Sequence, residues 1–214
     1  MTQPAERLRQ GWRQSTAGAA DQDPVGPLPG EADGVQAGGE SLDGRLESAQ
    51  RDDAVAVYVG TYDAKTVEKV SWLRERYLDN AFFHALEGRV YGRWGHWGRS
   101  EAVFADVLAR YKAQKPGYNA AAAEQALYYL ARGRMVYGDH AQALVHLDQL
   151  EALGARSDRQ GYFKVLGRLR QGMVLDALGR RAEAQARYRQ VLQMKDRADA
   201  HERAKNYMER PYGR

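Results

Sequence analysis

Apolar and small residues return along this chain in one spacing, three times over. A small residue is followed seven positions later by Gly, five later by another small residue, four later by a bulky apolar one and three later by Val or Leu. Gly88, Gly95, Ser100, Phe104 and Val107 carry the first copy, Ala131, Gly138, Ala143, Leu147 and Leu150 the second, and Gly172, Gly179, Ala184, Tyr188 and Val191 the third. A recurrence of 43 and then 41 residues marks one supersecondary unit per copy. In the third copy Leu166, Leu169, Met173, Val174, Ala177 and Leu178 fall at helical spacing, which predicts an amphipathic helix closing at Gly179. Ala184, Ala186, Tyr188, Val191 and Leu192 then define a second helix with its own apolar stripe. The small residues Gly172 and Ala184 at matched positions let the two helices of this antiparallel hairpin approach closely, with Tyr188 and Val191 filling the space around the crossing. One hairpin cannot bury both of its faces, so neighbouring hairpins are expected to stack.

The same spacing predicts hairpins at 81–114, 119–153 and 159–195, with Asn119 and Asp139 as N-caps and Pro116–Gly117 as a breaker. Val67, Val70, Trp72, Leu73 and Tyr77 predict an earlier helix over 64–77 capped by Asp63, and 54–80 reads as a degenerate leading unit. A last helix near 197–209, stopped by Pro211, carries Ala198, His201, Ala204, Tyr207 and Met208 on one side and charges on the other, as a terminal cap requires.

This set of positions resembles the tetratricopeptide repeat. The third copy matches that motif with Gly172, Gly179, Ala184 and Tyr188, and the first with Gly88, Tyr91, Gly95 and Phe104, although Ser100 stands where Ala is usual. The second matches with Leu127, Leu130, Ala131, Gly138 and Ala143, with Leu147 in place of an aromatic. The family's early Trp is here His84, Leu127 and Arg168, its closing Pro is not in place, and its period of about 34 residues is exceeded. The resemblance covers 54–209 and implies an all-α, right-handed solenoid of antiparallel helical hairpins, three repeats with a partial leading one and a C-terminal capping helix. It also implies a non-catalytic scaffold that binds a partner protein or peptide on its concave face. The inward positions would be Ala85, Arg89 and Arg93, then Gln125, Tyr128, Arg132 and Met135, then Leu169, Met173 and Asp176. Of these, Arg89, Arg93, Tyr128 and Arg132 are the candidate peptide-binding residues, suited to an acidic segment or a carboxylate through forked, charge-assisted hydrogen bonds. Their guanidinium groups are expected to be exposed.

Composition divides the 214 residues in two. Residues 1–53 hold four of the six Pro, one aromatic, and five basic against ten acidic side chains. Such a leader cannot bury enough apolar surface to offset chain ordering, and disorder is the expectation. An unpatterned leader of this kind also fits an upstream start assignment or a truncated reading frame. Residues 54–214 hold 27 basic and 18 acidic side chains, a net charge of +9, with 210–214 as a short tail. That basic body raises a second class of partner, nucleic acid or another anionic surface. The basic residues are spread over most helices beside acids, which makes nucleic acid the weaker expectation. No cofactor is expected. There are no cysteines, no pair of the five histidines at ligand spacing on one helix face, and so no expected metal. The glycine-rich run from Gly88 to Gly98 lacks the Gly-Lys-Ser/Thr ending of a phosphate loop. No secretory signal or membrane-spanning run is visible, which leaves the cytoplasm as the default compartment. Trp94 and Trp97 flank the first turn, where a Trp more often closes the hairpin than stacks a ligand.

Overall fold

The computed structural model describes residues 64–153 and 161–213. The expected leader, the 54–63 stretch and the Asp63 cap lie outside the described residues. Among the described residues there are eight α-helices and no strand: α1 Ala64–Arg76, α2 Ala81–Arg93, α3 Trp97–Lys112, α4 Ala120–Val136, α5 His140–Ala152, α6 Tyr162–Ala177, α7 Arg181–Leu192 and α8 Ala200–Glu209. Each packs on its neighbours in sequence; α2, α4, α6 and α8 also pack successively on one another, whereas α3, α5 and α7 make no comparable contact among themselves. The result is two layers, with α4 and α6 covered on several sides. Ten residues of α4 and twelve of α6 are buried, against three each on α5 and α7. The first helices of the hairpins, expected to line a concave face, therefore supply most of the core.

Each of the three hairpins closes with the same backbone device. Gly95, Gly138 and Gly179 sit at φ 87°, 75° and 75°, a conformation that costs Gly nothing sterically. The next residue donates its N–H back five positions, His96 to Tyr91, Asp139 to Arg134 and Arg180 to Leu175, at 2.8–2.9 Å. Together with the glycine N–H bonds to Gly92, Met135 and Asp176, these are Schellman closures that satisfy the last carbonyls of α2, α4 and α6. At the other ends, the side chains of Asn80, Asn119 and Asp139 accept from the N–H groups of Phe82, Ala122 and Gln142, capping α2, α4 and α5.

The close crossings explain the small residues. A Cβ built on Gly88 would meet the Phe104 ring at 2.7 Å, and one on Gly172 would overlap the ring of Tyr188. Each glycine thus accepts the face of the aromatic sixteen residues on, rather than serving only to admit the small residue at 100 or 184. Ser100 gains from not being Ala: its hydroxyl donates to the Gly88 carbonyl at 2.7 Å inside the crossing. Phe104 then stacks on Tyr129 of α4, with centroids 4.8 Å apart and planes 4° from parallel, joining the first hairpin to the second.

The C-terminal cap is shorter than the sequence suggests. Ala198 and Asp199 have φ 49° and 57°, so α8 begins at Ala200 instead of near 197. Residues 210–213 are not a loose tail either. The N–H of Tyr212 donates to Asp176 at 3.1 Å and its ring lies 5.5 Å from that of Tyr207.

Candidate functional site

Arg89, Arg93, Tyr128 and Arg132 separate into two pairs. Arg89 is buried, 7% exposed, with its guanidinium 6.0 Å from the Phe82 ring, so the expectation of an exposed cation at this position is corrected. Tyr128 is also buried, and its hydroxyl accepts from Nε of Arg170 at 2.9 Å while the guanidinium lies 5.2 Å from the ring centre. Arg170 is itself only 2% exposed, and its Nη1 lies 4.0 Å from the sulfur of Met135. A charge so deep is tolerable only with hydrogen bonding and a polarisable surround, which the phenol, its π face and the thioether supply. Leu169, Met173 and Asp176 are interior as well. The expected inward surface of α4 and α6 is thus largely core, and Tyr128 works as a link between those helices. Arg170 escaped the sequence reading although it sits in helical register with Leu166 and Val174, where a cation is out of place.

Arg93 and Arg132 remain half-exposed near the C-terminal ends of α2 and α4. Arg132 lies 5.2 Å over the Trp97 ring. Trp97 fills a slot left by two glycines, since a Cβ on Gly92 or on Gly133 would lie 3.1 or 3.7 Å from its six-membered ring. It closes the hairpin, as the sequence suggests. Trp94 is 36% exposed and stands edge-on to His96 at 4.3 Å. Tyr137 is 58% exposed, with its hydroxyl beside Gly98, and Val136 is 43% exposed. The turn end of the first two hairpins therefore presents an aromatic ledge edged by guanidinium groups. Such a surface can stack planar or apolar groups and bind carboxylates; it places no nucleophile beside a base.

Two further polar clusters are buried. His84, 2% exposed on α2, has Nδ1 3.0 Å from the Tyr118 hydroxyl and Nε2 3.3 Å from Oδ2 of Asp106. The Tyr118 hydroxyl also reaches the Leu78 carbonyl, at 3.2 Å, and so ties His84 to the end of the preceding turn. Burial lowers the His84 pKa to about 4, against the opposing pull of Asp106, and Arg74 and Arg110 lower it further. Arg110 is held by Asp106 at 2.9 Å, which raises its own pKa, and burial raises that of Tyr118. At the C-terminus the fully buried carboxylate of Asp176 accepts from Tyr188 at 2.9 Å, from Arg181 at 3.0 Å and from the Tyr212 N–H. Burial and that carboxylate keep the Tyr188 phenol un-ionised. Arg181 also donates to the carbonyls of Tyr207 and Met208 at 2.8 and 2.6 Å, capping α8 with positive charge at the negative end of its dipole.

Among the described residues no group of three or more His, Asp or Glu is placed to hold a metal ion, and no helix is long and apolar enough to cross a membrane. Comparison of the chain with protein-family models, with curated proteins and with solved structures gives no match.

Proposed function

We propose that residues 54–209 are a tetratricopeptide-like solenoid acting as a non-catalytic scaffold for a partner protein or an acidic peptide. The observation that supports this most is the repeated closing device: three hairpins of one pattern, each shut by a glycine at positive φ, with their first helices packed side by side. Stacked hairpins offer an extended surface built from equivalent positions, and such surfaces suit linear segments. With Arg89 and Tyr128 in the interior, the accessible members of the candidate set, Arg93 and Arg132, are the anchors for the partner's carboxylates.

A phosphate-binding role for the +9 body is weaker for a specific reason. Arg74, Arg110, Arg134, Arg168, Arg180, Arg181 and Arg187 are all ion-paired to carboxylates. Such pairs leave less charge for releasing counterions from a polyanion. The full chain, immobilised, captures a partner from native lysate, and that partner is then titrated against wild type and Arg93→Ala/Arg132→Ala. The expected loss is about 1.5–3 kcal/mol per charged hydrogen bond removed, partly restored by Lys, which keeps the charge without the fork. Equal affinity for wild type and double variant would move the partner elsewhere on the chain. Tight, steeply salt-dependent binding of random nucleic acid would favour the polyanion instead.

A further inference from the structure

The turn end holds more than half of the large apolar side chains that stand exposed among the described residues. Seven large apolar side chains are exposed among the described residues, and four of them, Trp94, Val136, Tyr137 and Leu178, lie at the C-terminal ends of α2, α4 and α6. Apolar side chains gathered at one place on a surface mark an interaction site more often than scattered ones do. Cations stand beside them: Arg132 over Trp97, Arg93 at the end of α2, and the exposed Arg99 5.6 Å from the Tyr91 ring. The chemistry that fits is an extended segment with flat apolar groups and negative charge.

The chain carries such a segment itself. Residues 17–44 contain six acidic side chains and no basic one. Within them Asp21-Gln-Asp-Pro-Val-Gly-Pro-Leu-Pro-Gly-Glu-Ala-Asp33 puts Pro24, Pro27 and Pro29 between two pairs of acids. Prolines three apart share one face of a polyproline II helix, whose pyrrolidine rings dock against aromatic side chains at little entropic cost. We propose that Asp21–Asp33 docks in cis on the ledge formed by Trp94, Trp97 and Tyr137, its prolines on the aromatic rings and its flanking acids toward Arg93, Arg99 and Arg132. Length permits it, since the thirty residues between Asp33 and Ala64 can span up to about 100 Å. The consequence builds on the proposed scaffold function: a docked segment occupies the surface around Arg93 and Arg132 and competes with an acidic partner for it.

The absence of native cysteine makes a direct test simple. Two full-length double variants are compared, Leu28→Cys/Ala141→Cys and Leu28→Cys/Ala109→Cys. Ala141 is exposed at the start of α5, four residues past Tyr137, and Ala109 is exposed toward the far end of α3. Under mild oxidation at low protein concentration, the intramolecular disulfide to position 141 is expected to form about tenfold faster, the effect of a raised local concentration. Neutralising Asp21, Asp23, Glu31 and Asp33 to their amides, or raising the salt, is expected to remove most of that advantage. Equal rates at the two positions, disulfides that form only between two copies, or a rate indifferent to the four acids would each overturn docking in cis. A second measurement stands apart from the cysteine variants: a labelled peptide of residues 21–33 titrated onto the full chain with those four acids neutralised. Binding weakened about tenfold by Tyr137→Ala is expected, the scale of one lost aromatic contact. No binding at millimolar peptide would overturn the proposal. Neither measurement involves an outside partner, so failure here leaves the proposed scaffold function as it was.

Discussion

Replacing Asp176 by Asn tests what holds the C-terminal end together. The carboxylate is wholly buried and serves three partners at once: Tyr188 and Arg181, both on α7, and the N–H of Tyr212 beyond α8. Asn keeps one acceptor oxygen and turns an NH2 group toward either the guanidinium or the phenol. At least one charge-assisted hydrogen bond is lost, worth about 1.5–3 kcal/mol, and a second is weakened to an ordinary one. Breaking a fully buried ion pair costs about 3–5 kcal/mol. Arg181 keeps 30% of its side chain exposed, so solvent takes up part of the orphaned charge and the low end applies. The expected destabilisation is about 3 kcal/mol by urea denaturation followed by circular dichroism. Tyr188→Phe, which leaves the Asp176–Arg181 pair intact, should cost only about 1 kcal/mol. Because Arg181 also caps the carbonyls of Tyr207 and Met208, hydrogen exchange in α8 should accelerate more than in α4 in Asp176→Asn. A cost no larger than that of Tyr188→Phe, or unchanged exchange in α8, would refute this account of the anchor.

The crossing of α6 and α7 predicts that Gly172→Ala, whose methyl would enter the Tyr188 ring, costs about 1–3 kcal/mol, whereas Gly133→Ala, with only ordinary contact at 3.7 Å, costs less than 1 by the same denaturation assay. His84 predicts acid sensitivity with a definite sign. Its folded pKa, about 4, lies below the unfolded value near 6.5, so the neutral ring favours folding; that contribution is complete above about pH 6.5 and is lost as pH falls toward 4, about 3 kcal/mol in all. His84→Gln should flatten the urea midpoint between pH 7 and 4.5 relative to wild type, and parallel profiles would show that other groups carry the acid response.

How much of this was legible in the chain differs from element to element. The hairpin boundaries and the caps at Asn119 and Asp139 were, because Schellman glycines and Asn/Asp caps act through the backbone next to them. The start of α8 was not, since apolar periodicity through Ala198 carries no sign of the positive φ at Ala198 and Asp199. Arg89 and Tyr128 were misplaced for a different reason. Helical spacing assigns a side chain to a face, but burial depends on what else covers that face, and on α4 and α6 most faces are covered. The Asp176 and His84 clusters were missed because their partners lie 5–36 and 22–34 residues away, and no local spacing connects them. A carboxylate such as Asp176 looks, in sequence, like any other solvated acid.

The turn end holds the part of the candidate site that folding alone does not explain. Trp94, Tyr137 and Leu178 each immediately precede a Schellman glycine and share a backbone conformation, with φ of −76°, −82° and −81°. Nothing in that backbone demands an apolar side chain, yet these three leave 36%, 58% and 40% of their surface in water. Trp97, one turn away, does bury its ring between two glycines, and it supplies the platform on which Arg132 lies. Apolar area left in water at the same register of successive hairpins, beside arginines at the first two, costs the folded chain solubility. Binding of an apolar, acidic segment is the role that gives those positions a physical reason to be apolar.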